Sequence, residues 1–443
     1  MARKSNVAIR RILRKLFPST RLEELARETG AVVRERKVKI VEFFWTLVLG
    51  FGLGRKRTLS GLRRSYEKTT GQTIEESSFF DRFTPAMVMM LKHCVSDALS
   101  KSLGVGRRLR GHLAAFRDVL MTDSTVIRLH DLLEKVFPAC RTNHTKAALK
   151  AHAIISVTGA GKQSVKITSE RKHDGPVFRV GPWVAQRLLL FDLGYFNYQL
   201  FSCITRNLGY FVSRLKGNAR PTIVGINRKH RGRAVPVVGE KLRDVVARLK
   251  REILDVDIEV RFQRRRYAGK KHFATQRLRV VGVRDERSGE YHLYVTNVPP
   301  EKLAAEDIQA TYALRWEIEL LFKEMKQHYR LEDMPSRKRV VVETLLYATI
   351  LTLVASRRLL AAVRDRLAAE FSERLRYRRW ATVLESASQE LLTVVTGRYE
   401  NVRPLEAKVT RYLLHEAVDP NRSRPSLLQS VERGTHAYRL NGG

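Results

Sequence analysis

The side chains of this 443-residue sequence that could do chemistry are three carboxylates and a polar stripe. Asp123 sits inside the strand-like run DVLMTDSTVIRL, where an acidic residue is disfavoured unless it faces solvent or has a task. Asp192 closes the apolar run RLLLF and precedes a glycine and a helical stretch. Glu319 lies in Tyr312 to Lys326, YALRWEIELLFKEMK, with Tyr312, Arg315 and Lys326. On one α-helix at about 100° per residue, those four polar side chains fall within roughly a 60° arc. Leu314, Ile318, Leu321 and Met325 form a second, apolar arc suited to docking the helix on a core. Carboxylates at strand ends of one sheet, joined by one from a helix packed beside it, converge on a point, and three such charges repel unless cations neutralise them. Oxygen-only ligands favour Mg²⁺ or Mn²⁺. Two such ions roughly 3.5 to 4 Å apart would activate a water or hydroxyl and stabilise a departing 3′ oxygen, which is phosphodiester chemistry.

Each of these residues also has a plain structural reading. Arg315 with Glu319, and Glu319 with Lys323, are i,i+4 ion pairs of an exposed helix face. Asp123-Ser124-Thr125 is turn chemistry, and Asp192 is placed to cap a helix. The elements around them decide between the two.

The first hundred or so residues read as helical. Arg10 to Phe17 and Leu22 to Glu28 have helical spacing. Thr58 to Lys68, a Thr-Thr-Gly turn and Ile74 to Phe83 resemble a helix-turn-helix, with Glu75, Glu76, Ser77, Ser78 and Arg82 near its recognition surface. From Asp118 the pattern turns to strands: AALKAHAIISVTG and QSVKITSERKHDG follow the Asp123 run around a turn at Thr158 to Lys162. That TGAGK turn is not a phosphate-binding loop, because Ser156 and Gln163 stand where Gly and Ser or Thr are needed. After Asp192 come a helix through Cys203 and a strand, Tyr210 to Lys216. Three strands in hairpin order and helix-linked strands after them predict a mixed sheet of about five strands with helices packed on it.

A second β-rich stretch follows. A helix over Glu240 to Glu252 precedes Val256, Ile258, Val260 and Phe262, which alternate with Asp257, Glu259 and Arg261 as in a half-exposed strand. Arg277 to Val283 and Tyr291 to Asn297 continue an antiparallel module. Between its strands lie Arg264, Arg265, Arg266, Lys270, Lys271 and His272, interleaved with Tyr267 and Phe273; this suits phosphate contact and base stacking as well as it suits a solvated loop. Beyond the Tyr312–Lys326 stretch, Arg337 to Arg358 and Tyr377 to Tyr399 read as helices.

Composition narrows the partner. Lys and Arg number 83 against 45 Asp and Glu, a net charge of +38 spread along the chain. Such a field calls for a polyanion, and nucleic acid fits better than a membrane surface. The uncharged runs Phe43 to Gly54 and Thr344 to Ala355 are too short for a span of about 20 residues and read as buried helices. The N-terminus lacks the apolar core of a secretory signal, so a cytoplasmic protein is expected. Cys94, Cys140 and Cys203 form no CxxC pair, and no HExxH occurs, so neither a zinc module nor a disulfide framework is indicated.

Tyr312, Arg315, Glu319 and Lys326 match Y-(2)-R-(3)-E-(6)-K, and the sequence resembles the insertion-sequence-4 family of bacterial DDE transposases. LMTDSTVIRL and LLLFDLGYF look like that family's contexts for its two aspartates, with Asp192 to Tyr195 matching D-x-G-Y. The resemblance covers roughly residues 118 to 330. It implies a ribonuclease-H-like α/β core, residues 113–216 and 304–348, interrupted by a β-rich insertion at 217–303. A helical DNA-binding domain at 1–112 and a helical C-terminal region at 349–443 would flank it. It further implies cut-and-paste movement of a DNA element: nicking by water, a hairpin intermediate and attack of the 3′-OH on target DNA. Asp123, Asp192 and Glu319 would hold two Mg²⁺ or Mn²⁺ ions; Tyr312, Arg315 and Lys326 would bind phosphates, Arg315 by its planar fork. Arg214, Lys216, Arg265, Lys270 and Lys271 are further candidate DNA contacts. Residues 217–303 contain no Trp, so a base-stacking role would pass to Tyr267, Phe273, Tyr291 or Tyr294. The implied partners are double-stranded DNA, namely element ends and target, and a second copy of the chain when bound to DNA in the bacterial nucleoid. A nuclease that cuts without joining, and a catalytically silent DNA-binding regulator, remain the alternatives.

Overall fold

The computed structural model describes residues 8–34, 38–53, 57–101, 109–140, 145–158, 163–229, 236–264, 272–286, 288–332, 334–372, 374–397 and 399–420. Its strands are β1 (Asp118–Leu129), β2 (Ala147–Ser156), β3 (Ser164–Ser169), β4 (Arg187–Phe191), β5 (Tyr210–Arg214), β6 (Thr222–Ile226), β7 (Ile253–Gln263), β8 (Phe273–Arg284) and β9 (Tyr291–Thr296). They join in one sheet in the order β3-β2-β1-β4-β5-β9-β8-β7-β6. The β1–β4 and β4–β5 pairs are parallel, and the remaining pairs are antiparallel.

Nine strands replace the expected five. The reason is a single junction: Val212, Ser213 and Arg214 of β5 pair with Thr296, Val295 and Tyr294 of β9, so the second β-rich stretch extends the sheet instead of standing apart from it. Its strand pattern is as the alternation predicts, with Val256, Ile258, Val260 and Phe262 buried and Glu259 and Arg261 exposed. The chain leaves β5, crosses to the far edge to form β6, and returns strand by strand to β5.

The helices are α1 (Ile9–Leu16), α2 (Ser19–Glu28), α3 (Ile40–Trp45, running into a π-type turn, Thr46–Phe51), α4 (Leu59–Thr70), α5 (Glu76–Phe80) and α6 (Pro85–Lys101) before the sheet. Within it are α7 (Tyr198–Arg206) and α8 (Leu242–Arg248). After it come α9 (Ala305–Ala313), α10 (Trp316–Gln327), α11 (Arg339–Arg364), α12 (Ala369–Ser372), α13 (Tyr377–Ser386), α14 (Ser388–Thr396) and α15 (Tyr399–Glu416). Thr58 caps α4 by accepting from the Gly61 N–H at 2.9 Å, and Gly71, at φ +70°, ends it in the left-handed region that glycine adopts without strain. The expected second helix of the helix-turn-helix is the short α5, and the helix expected over Glu240 to Glu252 shrinks to α8.

Alternation divides the core by sheet face. Val119, Met121, Ile127, Leu188 and Leu190 belong to a large cluster shared with the helices on both ends of the chain, whereas Leu120, Leu189, Phe191 and Phe211 belong to a second cluster with α7 and α8. Burial on both faces explains the continuous apolar run of β4. The long helix α11 is apolar enough to span a membrane by length, yet 83% of its apolar window is buried within the protein. Buried Arg57 reaches from the N-terminal helices to donate to the carbonyls of Tyr329 and Arg330, just past α10, which ties that helical region to the end of the Glu319 helix.

Candidate active site

The strand register brings two carboxylates together. Thr122 of β1 pairs with Phe191 of β4, so Asp123 and Asp192 are the next residues on adjacent parallel strands. By alternation each shares the sheet face of the large cluster, Asp123 that of Met121 and Ile127, Asp192 that of Leu188 and Leu190, and α10 packs on β1. Asp192 caps a short 3₁₀ turn, Leu193–Tyr195, where it accepts from Gly194 N–H at 3.5 Å; the helix behind it, α7, is capped by Asn197 instead.

The stretch from Tyr312 to Lys326 is not one uniform helix. It breaks between α9 and α10, where Leu314, Arg315, Glu317 and Ile318 donate their N–H groups to residues three back rather than four. A tightened turn rotates the chain faster per residue than an α-helix, so the polar stripe is wound at Arg315. The apolar docking face survives: Leu314, Ile318 and Met325 are buried and Leu321 is half-buried.

Arg315 stands between two of these carboxylates. Its Nη1 donates to Glu319 Oε1 and lies 3.6 Å from Asp123 Oδ2, and its side chain is only 12% exposed. Burial pushes the Asp123 carboxyl up to about 6; the Ser124 N–H, which donates to Asp123 Oδ1 at 2.7 Å, and the Arg315 charge pull it down, while Asp192 and Glu319 push it up. Asp192 and Glu319 are thus near enough for their charges to be felt at Asp123. Among the described residues no three metal-ligand side chains are drawn close enough to hold an ion, and Glu319 is paired with Arg315. The donor set itself, three carboxylates and no nitrogen or sulfur, suits a hard divalent cation.

The other predicted residues distribute unevenly. The Tyr312 ring is buried 5.2 Å from that of Tyr294, and the Arg315 guanidinium lies 5.5 Å from its centroid. Lys326 Nζ donates to Val126 O at 2.6 Å and lies 2.9 Å from Glu332, so it tethers α10 to β1. Arg214, on β5, lies 3.1 Å from His292 Nδ1, and its charge is felt at Tyr312. Lys216 Nζ sits 5.3 Å over the ring of Phe196, in the turn that follows Asp192. Arg265, Lys270, Lys271 and Tyr267 lie outside the described residues. Of the other candidate stacking rings, Tyr294 is buried, Tyr291 donates to Arg251 O, and Phe273 is 52% exposed with Arg261 4.7 Å over it.

A group of residues beneath the carboxylates went unnoticed in the sequence. Ser124, the neighbour of Asp123, faces the other side of the sheet and donates from Oγ to Asp174 Oδ1 at 3.0 Å. Lys150 Nζ and His152 Nδ1, both on β2, lie 3.3 Å from the same oxygen, and His152 is the cross-strand partner of Ser124. Burial pushes His152 down to about 4, which leaves it neutral despite Asp174. The only sequence signals were a charged pair, His173-Asp174, before a glycine, and a buried-side His in an apolar strand.

Residues 114–355, more than half of the chain, match the family model described as a transposase DDE domain. The chain is 22% identical over 368 residues to the transposase for insertion sequence element IS231F of Bacillus thuringiensis subsp. israelensis, covering 75% of each. It is similarly related to the IS231B transposase of B. thuringiensis subsp. berliner, at 22% over 387 residues and 77% of each. Its identity to the IS1151 transposase of Clostridium perfringens is 18% over 381 residues, covering 78% of each.

Proposed function

Because the chain belongs to the family of the transposase DDE domain, an enzyme class that cleaves nucleic acid and transfers strands, we propose that it moves an insertion sequence by cleaving DNA at the element's ends and joining the freed 3′-OH to target DNA. What supports this reading is that Asp123 and Asp192 follow paired residues on adjacent parallel strands and that the buried Arg315 faces both Asp123 and Glu319. DDE transposase domains generally use divalent metal ions, and DNA is their partner. The finer parts of the reading are the insertion-sequence-4 type, two Mg²⁺ or Mn²⁺ ions held by these three residues, a hairpin intermediate, and a homodimer that brings two ends together. The strand order β3-β2-β1-β4-β5, with its central pairs parallel, supports a ribonuclease-H-like core.

When bound, the metal supplies activation of the attacking oxygen and stabilisation of the leaving one. The chain's own residues do the rest. The backbones at Asp123 and Asp192 are set side by side by strand register, and Glu319, paired with Arg315 here, would have to leave that partner to join them in holding the metal. Arg315, released from that carboxylate, offers its planar fork to a phosphate of the DNA end. Arg214 and Lys216, beside Tyr312 and Phe196, carry the positive surface outward along the path of the strand. Phe273 is the exposed ring among the described stacking candidates and suits a base displaced in hairpin formation.

The test is incubation with Mg²⁺ and linear DNA bearing the element's ends, followed by analysis for excision, hairpins and strand transfer. Cleavage without joining would replace this reading by a nuclease, and binding without cleavage would replace it by a regulator.

A further inference from the structure

The strongest unassigned feature is the half-buried polar cluster on the sheet face opposite the carboxylates. Asp174 there touches both segments that carry the site's aspartates. Its Oδ1 accepts from Ser124 Oγ at 3.0 Å, and Ser124 N–H in turn donates to Asp123 Oδ1 at 2.7 Å. Its Oδ2 presses against the turn after Asp192: a Cβ built on Gly194 would lie 2.8 Å from it and 3.9 Å from Asp192 Oδ2. Lys150, 15% exposed, pairs with the carboxylate from β2 at 3.3 Å, and the neutral His152, 6% exposed, lies 3.3 Å from the same oxygen. Behind them His152 reaches Tyr195 Oη at 3.4 Å and Thr168 Oγ1 at 2.9 Å, so the whole group is pinned across β1, β2, β3 and the Asp192 turn.

We propose that Asp174 is a positioning residue that sets the spacing of Asp123 and Asp192 for divalent-cation binding, gripping the first through Ser124 and closing against the second at Gly194. Two strands joined by parallel pairing fix their backbones but leave two carboxylate rotamers and one turn free to drift. An acceptor oxygen held in place beside Lys150 removes that freedom on both sides at once. Glycine at 194 is then what lets the contact form, since a Cβ there would push the Asp174 carboxylate aside. Groups that orient ligands without touching the ion commonly change metal affinity by about 10- to 100-fold when removed. The inference rests on the proposed metal site and deepens it.

The experiment is a Mn²⁺ titration of the full chain followed by electron paramagnetic resonance, with nonspecific duplex DNA present throughout, and with DNA affinity and thermal melting measured in parallel. Asp174→Ala and Gly194→Ala are expected to weaken Mn²⁺ binding by about tenfold or more, and Ser124→Ala to shift it the same way, with DNA affinity unchanged. Asp174→Asn keeps an acceptor for Ser124 and should retain affinity within about threefold. The Ser124→Ala, Asp174→Ala double variant should be no weaker than Asp174→Ala alone, because both remove one linkage. Wild-type Mn²⁺ affinity in Asp174→Ala, or losses that multiply in the double variant, would overturn the proposal. If Asp174→Ala melts early, Ser124→Ala, which removes only a hydroxyl, decides. Asp123→Ala separates the two levels: loss of Mn²⁺ there with none in Asp174→Ala sinks this inference alone, whereas full Mn²⁺ binding in Asp123→Ala sinks the metal-site assignment and this inference with it.

Discussion

The two halves of the sheet treat buried charge in opposite ways. In the half ending at β6, Asp255 and Arg279 are each 4% exposed and satisfy each other. Arg279 Nε and Nη2 donate to the two Asp255 oxygens at 2.8 and 2.6 Å, while its Nη1 donates to the carbonyls of Val298 and Leu303 at 3.1 and 2.7 Å. In the half ending at β3, Asp123, with its side chain 15% exposed, shares one arginine with Glu319 and feels Asp192 as well. The first arrangement is a closed ledger of hydrogen bonds; the second leaves a negative excess that a divalent cation would relieve. The difference teaches where to look for chemistry, since a fully partnered buried pair holds structure and an underpartnered cluster is poised to bind.

The largest effects should fall on opposite observables in the two halves. Asp123→Ala, Asp192→Ala and Glu319→Ala should each abolish DNA cleavage while leaving end binding nearly intact, as read in a gel assay with matched binding measurements. Normal cleavage by Glu319→Ala would remove it from the site. Arg279→Ala should instead unfold the protein more readily, by about 3 to 5 kcal/mol in denaturant titration, because it strands Asp255. It also frees the 298–303 segment that leads into α9, so any residual folded protein should cleave more slowly. A stability change under about 1 kcal/mol would show that the inserted half is not held by this pair.

A smaller effect separates the halves by pH. The Asp123 carboxyl holds its proton more tightly in the folded chain, near 6, than at the ordinary 3.8. Stability from such a group is present in full below about 3.8 and is lost as pH rises through about 6, the reverse of a salt-bridged carboxylate. The gap corresponds to about 3 kcal/mol at most. In metal-free buffer, Asp123→Asn should therefore be more stable than wild type at pH 8 by up to that amount, with the advantage gone by about pH 3.5. Adding Mn²⁺ at pH 8 should stabilise wild type and not the variant. Equal melting of the two proteins across this range would mean that Asp123 is not an underpartnered charge.

How much of this was legible in the sequence follows from range. Alternation gave β7 its two faces, and the i,i+4 spacing of Arg315 and Glu319 gave the ion pair, because both are local. The three carboxylates stood out by residue type in contexts where acids are disfavoured. The nine-stranded sheet was not legible, since the β5–β9 junction joins residues about eighty positions apart through only a few backbone pairs. Nor was the tightened turn at Arg315, whose neighbours all have helical propensity. Asp174 was hidden for a third reason: it lies in a loop between β3 and β4, and only the folded register brings it under Ser124.

The smallest prediction probes the outward face of the inserted half. Phe273, opposite Gln263 on the β7–β8 ribbon, is half-exposed with Arg261 stacked 4.7 Å over its ring. Since the ring supports little of the core, Phe273→Ala should change stability by less than about 0.5 kcal/mol. If the ribbon meets DNA, the same change should weaken duplex or hairpin-end binding by about 1 kcal/mol, roughly fivefold, through lost stacking. The salt dependence distinguishes ring from charge. Phe273→Ala should leave the slope of log affinity against log salt unaltered, whereas Arg261→Ala should reduce its magnitude by about one, the signature of one phosphate contact. Anisotropy titrations at several salt concentrations measure both. Unchanged affinity in the two variants would confine DNA recognition to the other half of the sheet and leave the inserted half with a purely architectural task, holding α9 in place through Arg279.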